Sequence, residues 1–257
     1  MKVVILCGGQ GTRLREETEY KPKPMVEIGG HPILWHIMKS YSYFGFKEFV
    51  LCLGYKGDVI KDYFYHYKTR SNDFTIELKN GEIDVHDSKE DNDWVVTLAD
   101  TGAAAMTGAR VKRIEKYVGD DTFMLTYGDG VGDINVKELL EYHRAHGKIG
   151  TLTGVSPPSR FGELSVTGAK VTSFREKPKD LDGTINGGYF VFSKEFFDYL
   201  SDDDGCYLER EPLANLADDN ELNVYRHKGF WQCMDTYRDF QHLNEYWTAG
   251  NAPWKVW

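Results

Sequence analysis

The sequence predicts an α/β fold, in which a Rossmann-like, mostly parallel twisted sheet is flanked by helices and the C-terminal half is mixed α+β. Three apolar runs of strand length predict the sheet, at residues 2–7, 48–53 and 122–127. Runs without a polar alternate face are typical of parallel strands that are buried on both sides. Helical patterns lie between these runs, which favours right-handed βαβ connections.

The first half alternates strands and helices in chain order. His31-Pro32 opens a helix that runs to about Phe44, because proline is tolerated in the first helical turn. Asn80-Gly81 is a strong hairpin signal between two short strands. Further helices are predicted at 58–67, 108–118 and 135–146, and further strands at 74–79, 82–86, 94–98 and 149–155.

The second half has shorter and more mixed elements. Loops rich in proline and glycine separate brief strand patterns, and two helical patterns remain. Strands are predicted near 163–166, 171–174, 186–192 and 222–226, and helices at 211–218 and 237–249. The tail contains Trp254 and Trp257, which would be costly to expose, so we expect it to pack on the body or on a neighbouring molecule.

Composition limits the class of protein. The chain has 257 residues, of which 41% are hydrophobic, which is enough for one large core and a single domain over 1–257. No apolar run approaches membrane-spanning length, and the N-terminus lacks the pattern of a signal peptide. The four cysteines lack metal-ligand spacing, which predicts reduced thiols in a cytoplasmic protein. A net charge of −9 argues against non-specific binding to nucleic acid or to anionic membranes.

A glycine-rich turn follows the first strand. Gly8, Gly9 and Gly11 allow a tight turn and close approach of the backbone to a ligand, and Arg13 adds a cation suited to phosphate. The dinucleotide-binding pattern fails because Leu14 stands where its third glycine belongs, and no Gly-Lys-Ser/Thr of a P-loop follows. The segment Lys-Pro-Lys-Pro-Met comes next, at 21–25. Its prolines favour a stiff, extended backbone, which would hold the side chain of Lys23 in a fixed direction toward a ligand.

Two aspartates stand at the ends of predicted strands. Asp129 lies between two glycines after the strand at 122–127, where open α/β sheets bind ligands, although a turn aspartate would fit as well. Asp235 follows Trp231 and precedes the last helix, so either Asp235 or Thr236 could be only its N-cap.

The small residues at 100–108 also have two interpretations. They form either a flexible loop or a wall for a flat base, closed by Arg110 at the start of the next helix. We favour the wall.

These motifs together resemble the sugar-phosphate nucleotidylyltransferase family. Gly-Gly-x-Gly-Thr-Arg-Leu at 8–14 followed by Lys-Pro-Lys-Pro-Met at 21–25 matches its signature, and Glu176-Lys177-Pro178 matches its sugar-phosphate motif. Many relatives have proline after the Arg-Leu pair, where this chain has Arg15. That departure is shared with the branch that joins CTP to glucose 1-phosphate, and the resemblance to this branch covers nearly the whole chain.

The resemblance implies a role for each matching residue. Arg13 and Lys23 would act on the phosphates, and Asp129 and Asp235 would hold Mg²⁺. The residues implied in nucleotide binding are Leu6, Cys7, Gly8, Gly9, Gln10, Gly11, Thr12, Arg13, Lys23, Thr101, Gly102, Ala105, Thr107, Arg110, Gly128 and Asp129. Those implied in sugar-phosphate binding are Tyr127, Glu176, Lys177, Asn186, Gly187 and Trp231. Residues 1–155 would bind mainly nucleotide, and 156–257 mainly sugar phosphate and neighbouring subunits.

The implied reaction converts CTP and α-D-glucose 1-phosphate to CDP-glucose and pyrophosphate with Mg²⁺, in the biosynthesis of CDP-linked sugars such as those of lipopolysaccharide. The resemblance also implies a homohexamer, with 157–162 and the tryptophan tail as contact segments. Two alternatives remain: the same chemistry with UTP, dTTP or another phosphorylated acceptor, and a non-catalytic relative that only senses a ligand. The presence of Arg13, Lys23, Asp129 and Asp235 disfavours the sensor.

Overall fold

The structure is a computed structural model that describes residues 1–86, 93–119, 121–156, 163–175 and 183–257. Its helices are α1 (Arg15–Thr18), α2 (Ile33–Tyr43), α3 (Gly57–Tyr65), α4 (Tyr67–Ser71), α5 (Thr107–Arg113), α6 (Glu115–Val118), α7 (Val136–His146), α8 (Glu211–Asp218) and α9 (Tyr237–Thr248). Short 3-10 helices lie at Thr12–Leu14, Lys23–Met25 and Lys194–Tyr199.

The strands are short, and most of the longer ones lie in one sheet. They are β1 (Lys2–Leu6), β2 (Glu27–Ile28), β3 (His31–Pro32), β4 (Glu48–Leu53), β5 (Phe74–Glu77), β6 (Glu82–Val85), β7 (Val95–Asp100), β8 (Phe123–Tyr127), β9 (Gly130–Gly132), β10 (Gly150–Val155), β11 (Glu163–Thr167), β12 (Lys170–Arg175), β13 (Ile185–Phe192), β14 (Leu222–Arg226) and β15 (Trp231–Cys233).

The main sheet has the strand order β14-β10-β13-β8-β1-β4-β7. Strand β1 pairs in parallel with β4 and β8, β4 pairs with β7, and β10 pairs with β14, also in parallel. Only β13 runs against its neighbours β8 and β10. The predicted mostly parallel Rossmann-like sheet is confirmed.

The first strand shows why this sheet needs helices on both faces. Val3 and Ile5 point into one core with α2 and α9, while Val4 and Leu6 point into a second core with α5 and the 3-10 helix at Lys194–Tyr199. All four side chains are buried. A strand that is apolar at every position is stable only between two such layers.

Two predicted helices are each divided in the structure. The helix expected at 58–67 breaks at His66, and the one expected at 108–118 breaks at Ile114. Both break residues have ψ near zero, at 12° and 2°, outside the α-helical range. Apolar periodicity continues through such a break, so the sequence pattern alone does not show it.

The tryptophan tail packs on the body of its own chain. Trp254 is fully buried and its Nε1 donates a hydrogen bond to Nδ1 of His36 on α2, at 3.3 Å. The other ring nitrogen of His36 therefore carries the proton and donates to the carbonyl of Ile28, at 2.9 Å. Burial lowers the pKa of His36 to about 4, so the ring is neutral and joins α2 to the tail.

Across the described ranges, none of the helices combines the length and the apolar character needed to cross a membrane.

Candidate functional site

A cleft of about 780 Å³ lies at the carboxyl ends of the parallel strands β1 and β8, a volume typical of small-molecule sites. Of the predicted site residues, it is lined by Leu6, Cys7, Gly8, Gly9, Gln10, Gly11, Thr12, Arg13, Lys23, Ala105, Thr107, Arg110, Tyr127, Gly128, Asp129, Asn186, Trp231 and Asp235. It is also lined by Pro24, Ala103, Ala104 and Met106, which belong to segments predicted to form the site but were not named as site residues, and by Cys233.

The glycine turn is shaped by two backbone requirements. A Cβ atom on Gly8 would lie 2.2 Å from the guanidinium carbon of Arg110, so a larger residue would displace that side chain from its position. Gly11 has a φ of +61°, in the left-handed region that favours glycine. The turn therefore brings bare backbone to the cleft, as a loop that wraps phosphates must.

Arg110 holds the walls of the cleft together. Its guanidinium donates to the carbonyls of Gly8, Leu53 and Gly102 and to the hydroxyl of Thr101, at 2.7–3.1 Å. Thr101 and Gly102 do not line the cleft themselves, and they contribute to it through these bonds. Arg110 thus ties the glycine turn to the small-residue loop, in addition to lining the cleft.

A small two-stranded sheet brings the two aspartates together. Strand β9, which follows Asp129, pairs antiparallel with β15, which precedes Asp235, and Cys233 lies opposite Gly130. The amide of Met234 donates to the carbonyl of Asp129, at 2.8 Å. Residues that are distant in sequence therefore place their carboxylates side by side.

Lys23 lies between these two carboxylates. Its Nζ is 2.6 Å from Oδ2 of Asp129 and 2.6 Å from Oδ1 of Asp235. Nη1 of Arg13 lies 3.0 Å from the other carboxylate oxygen of Asp235. The predicted extended conformation is present at Pro22. Residues Lys23–Met25 instead form a 3-10 helix, which directs the Lys23 side chain into the cleft. Two cations and two anions therefore form one cluster.

The ionisation of this cluster follows from its partners. Burial lowers the pKa of Lys23, but the nearby carboxylates of Asp129 and Asp235 outweigh that effect and raise it above its ordinary value. Burial likewise raises the pKa of Asp235, but Lys23 and Arg13 outweigh it and hold the pKa below the ordinary range. Both groups are charged at neutral pH.

The last helix is capped by Thr236 and not by Asp235. The Thr236 hydroxyl accepts from the amide of Asp239, whose carboxylate accepts from the Thr236 amide, which is a capping box. Asp235 contributes only its backbone amide to this arrangement, so its side chain is left for Lys23 and Arg13.

Three of the residues predicted to bind the sugar phosphate line the cleft, namely Tyr127, Asn186 and Trp231. Asn186 donates to the phenolic oxygen of Tyr127, at 3.4 Å, and Trp231 donates to the carbonyl of Gly187, at 2.7 Å. Gly187 itself does not line the cleft, and its carbonyl instead holds the indole of Trp231, which does. The predicted residues Glu176 and Lys177 lie outside the described residues.

Sequence reasoning did not identify Glu209, which is not part of the cleft lining but bonds to two residues that are. Its carboxylate accepts hydrogen bonds from the hydroxyls of Tyr127 and Thr107, each at 2.6 Å. Glu209 precedes a helix in a segment without a recognisable motif, so no sequence signal points to it.

The chemistry of the cluster favours a cation shared with a substrate. In the part of the chain that the structure describes, no three His, Cys, Asp or Glu side chains converge as a complete metal site. Two carboxylates alone suit a hard cation that completes its coordination with phosphate and water. Cys7 and Cys233 line the cleft, but burial raises the pKa of both thiols, that of Cys233 to about 12, so neither is a reactive thiolate.

Comparison with known proteins agrees with this geometry. A Salmonella typhimurium glucose-1-phosphate cytidylyltransferase is 53% identical over 258 residues and covers 100% of both chains. A Bacillus subtilis relative assigned the same activity is 48% identical, also over 100% of both chains. A Bacillus anthracis structure, assigned as a glucose-1-phosphate thymidylyltransferase and solved with sucrose, shares the fold, with a TM-score of 0.68, 19% identity and coverage of 98% of this chain and 95% of that one. The family profile described as nucleotidyl transferase matches residues 2–249. The matched residues include all those that line the charged cleft at the carboxyl ends of β1 and β8. The chain therefore belongs to the nucleotidyl transferase family of enzymes.

Proposed function

We propose that this enzyme transfers CMP from CTP to α-D-glucose 1-phosphate, giving CDP-glucose and pyrophosphate, for the biosynthesis of CDP-linked sugars. The observation that carries the proposal is the convergence of Arg13, Lys23, Asp129 and Asp235 in one cleft of a chain that is 53% identical to a glucose-1-phosphate cytidylyltransferase over its full length.

The reaction is a single in-line displacement. A phosphate oxygen of glucose 1-phosphate attacks the α-phosphorus of CTP, and the bond from that phosphorus to the bridging oxygen of pyrophosphate breaks. Both reactants are anions, so the protein mainly aligns them and offsets their charge. In this proposal Arg13 binds the departing pyrophosphate, Lys23 bridges the two reacting phosphates, and the amides of the glycine turn hold the triphosphate.

The donor set fits a divalent cation. Nucleotidyl transferases of this family generally use a divalent metal ion, and we propose Mg²⁺, held by Asp129 and Asp235. Their oxygens already converge on one cation, the ammonium of Lys23. Mg²⁺ prefers one or two carboxylates plus phosphate oxygens and water, and bound there it would offset charge on the reacting phosphates.

The walls of the cleft divide the substrates between them. We propose that residues 1–155 bind mainly CTP and residues 156–257 mainly glucose 1-phosphate, within one catalytic domain. Cytosine presents an N4 donor where uracil presents an O4 acceptor, so selectivity requires acceptors in the wall. Carbonyls near Leu6 and Gly8 already accept protein hydrogen bonds. The carbonyls at 103–105, which line the cleft, are therefore our choice for N4.

The decisive experiment measures pyrophosphate release across a grid of CTP, UTP and dTTP with several sugar 1-phosphates. We expect CTP with glucose 1-phosphate to give the highest kcat/KM, with UTP about ten- to a hundredfold lower because of the mismatched N4 position. Equal kcat/KM for CTP and UTP contradicts the base assignment. Nucleotide binding without pyrophosphate release from any pair identifies a ligand-sensing relative instead.

The sugar-phosphate motif has its own test. We propose that Lys177 contacts the phosphate and Glu176 a hydroxyl of glucose 1-phosphate. Lys177→Ala should raise KM for glucose 1-phosphate and leave CTP affinity nearly intact. Loss of CTP binding by calorimetry, with sugar-phosphate binding unchanged, contradicts this role.

We also propose that the enzyme assembles as a homohexamer. The contact segment expected at 157–162 lies outside the described residues, and Trp254 of the tail is buried within its own chain. Light scattering at micromolar concentration distinguishes a hexamer from a stable monomer, and the monomer would contradict the proposal.

A further inference from the structure

The position of Lys23 conflicts with the two roles that the reaction gives it. Its ammonium contacts Asp129 and Asp235 at 2.6 Å each, and the residue is only 9% exposed. The same two carboxylates are the proposed ligands of the divalent cation, and the same ammonium is the proposed partner of the phosphates.

The two cations cannot share these oxygens at full strength. An ion coordinated to either of the oxygens that Lys23 contacts would lie no further from Nζ than the sum of one hydrogen bond and one coordination bond. Like charges at such a separation repel strongly in a partly buried site. One cation must therefore weaken its contacts when the other binds.

The two carboxylates need a positive charge beside them even when no metal ion is bound. Two carboxylates that face each other in a half-buried cleft repel, and leaving them without a counter-charge is costly. The ammonium of Lys23 supplies that charge, and Arg13 supplies a second one from the side of Asp235. The carboxylates are thus held in place without a metal.

Lysine suits an exchangeable contact better than arginine does. Its charge is a compact point on a flexible four-carbon stem, whereas the rigid guanidinium favours fixed bidentate contacts. Lys23 lines the cleft, and its Cβ lies 3.3 Å from the position of a Cβ on Gly11, so release from the aspartates leaves the ammonium beside the glycine turn that is proposed to bind phosphate.

We propose that Lys23 is an internal counter-ion, which holds Asp129 and Asp235 in position until the divalent cation replaces it, and that this replacement frees the ammonium for the phosphates of the substrates. The inference rests on the proposed metal role of the two aspartates. It predicts that metal and ammonium compete for the carboxylates in the absence of nucleotide. It also predicts that metal binding and phosphate binding favour each other, since one releases the group that the other needs.

The first experiment measures Mn²⁺ binding to nucleotide-free protein by electron paramagnetic resonance. Lys23→Met removes the ammonium and keeps most of the stem, so we expect it to bind Mn²⁺ at least about tenfold more tightly than the wild type. Lys21→Met is the matched control, because Lys21 lies on the same segment but, among the residues that the structure describes, forms its one ion pair with Glu27, at 3.8 Å. Its Mn²⁺ affinity should stay within about twofold of the wild type. Equal or weaker binding by Lys23→Met overturns the inference.

A further variant separates this inference from the metal site itself. Asp129→Asn combined with Lys23→Met should lose the tight Mn²⁺ binding. If Asp129→Asn weakens Mn²⁺ binding but Lys23→Met does not strengthen it, the exchange is wrong and the metal site stands. If no protein binds Mn²⁺ with or without CTP, both the metal site and the exchange are wrong.

A measurement on the wild type covers the case in which Lys23→Met does not fold. An amine-reactive reagent labels lysines in proportion to their accessibility, and mass spectrometry reads each site. Without metal, Lys23 is protected, since its side chain is 11% exposed against 32% for Lys21. Saturating Mg²⁺ should increase labelling of Lys23 at least about threefold and leave Lys21 unchanged. Unchanged labelling of Lys23 in a protein that binds Mg²⁺ overturns the inference.

Discussion

The phenolic hydroxyl of Tyr127 donates a 2.6 Å hydrogen bond to Glu209, and the other oxygen of that carboxylate accepts an equally short bond from Thr107. Tyr127 lies beside Asn186 on the proposed sugar wall, while Thr107 begins α5 on the proposed nucleotide wall. Burial raises the pKa of Tyr127, and the Glu209 carboxylate raises it further, so the phenol keeps its proton. Glu209 therefore joins the two walls through neutral donors.

This relationship predicts that the two substrates can be affected separately. Tyr127→Phe removes the bond that orients Asn186, so KM for glucose 1-phosphate should rise about tenfold, equal to about 1.4 kcal/mol. Thr107→Val removes the other bond and should raise KM for CTP instead. Glu209→Gln should raise both. Steady-state kinetics with each substrate varied in turn measures the split, and a Tyr127→Phe effect on CTP alone would contradict the assignment of the walls.

The paired carboxylates predict a large loss of activity without a loss of fold. Asp129→Asn and Asp235→Asn each remove a charge from the proposed site of the divalent cation, and each should lower kcat/KM at least ~10²-fold, about 2.7 kcal/mol of transition-state stabilisation. Circular dichroism checks the fold, and a Mg²⁺ titration checks the metal dependence.

Thr236→Ala is the matched control for this prediction, because Thr236 caps the last helix beside Asp235. It should cost about 1 kcal/mol of stability and leave kcat/KM within about threefold. Near-normal activity in either Asn variant would mean that the residue holds no metal.

The bonds of Arg110 predict a combined effect on stability and on nucleotide binding. Arg110→Met leaves the carbonyls of Gly8, Leu53 and Gly102 without their charged donor, so unfolding in urea should show a loss of at least about 3 kcal/mol. KM for CTP should rise, because the glycine turn is no longer tied to the small-residue loop. Arg144→Met on the exposed face of α7 is the control and should change stability by less than about 0.5 kcal/mol. Equal stability of the two variants would contradict the prediction.

The buried ring of His36 predicts that stability falls in mild acid. Its pKa is lowered to about 4 in the folded protein, below the ordinary value near 6.5, so the unfolded chain binds more protons between these values. Its contribution is therefore intact above pH 6.5 and is lost as the pH falls toward 4. Between pH 7 and pH 5 the free energy of unfolding should drop by about 2 kcal/mol from this residue alone.

The variant His36→Gln isolates that contribution. Its amide can accept from Trp254 and donate to Ile28 but does not titrate. The loss of stability between pH 7 and pH 5 should therefore be smaller in the variant by about 2 kcal/mol, measured by urea denaturation at each pH. An identical pH dependence in both proteins would show that His36 keeps an ordinary pKa.

Local sequence was sufficient for the elements that depend on local chemistry. The apolar run of β1 and the glycines after it predict a buried strand and an open turn, and both are present. The side chain of Asn135 caps α7, and Gly147 ends it in the left-handed region, which glycine adopts easily because it has no side chain.

The rest depends on contacts between distant residues. The pairing of β9 with β15 involves three residues on each side, too few to produce a pattern, yet it joins Asp129 to Asp235. The antiparallel direction of β13 and the choice of Thr236 over Asp235 as the helix cap also follow from tertiary packing. Glu209 is recognised only when Tyr127 and Thr107 are seen on either side of it.

The contact between Arg13 and Asp235 spans 222 positions of the chain, which has a consequence for the protein during its synthesis. The ribosome makes the glycine turn first and the second carboxylate almost last. The parallel strands β1, β4, β7 and β8 are all synthesised well before β15. Until then Lys23 has only Asp129 as a partner. In the proposed mechanism the growing polypeptide therefore lacks part of its site for a metal-bound triphosphate, and that site is completed only when the C-terminal segment docks.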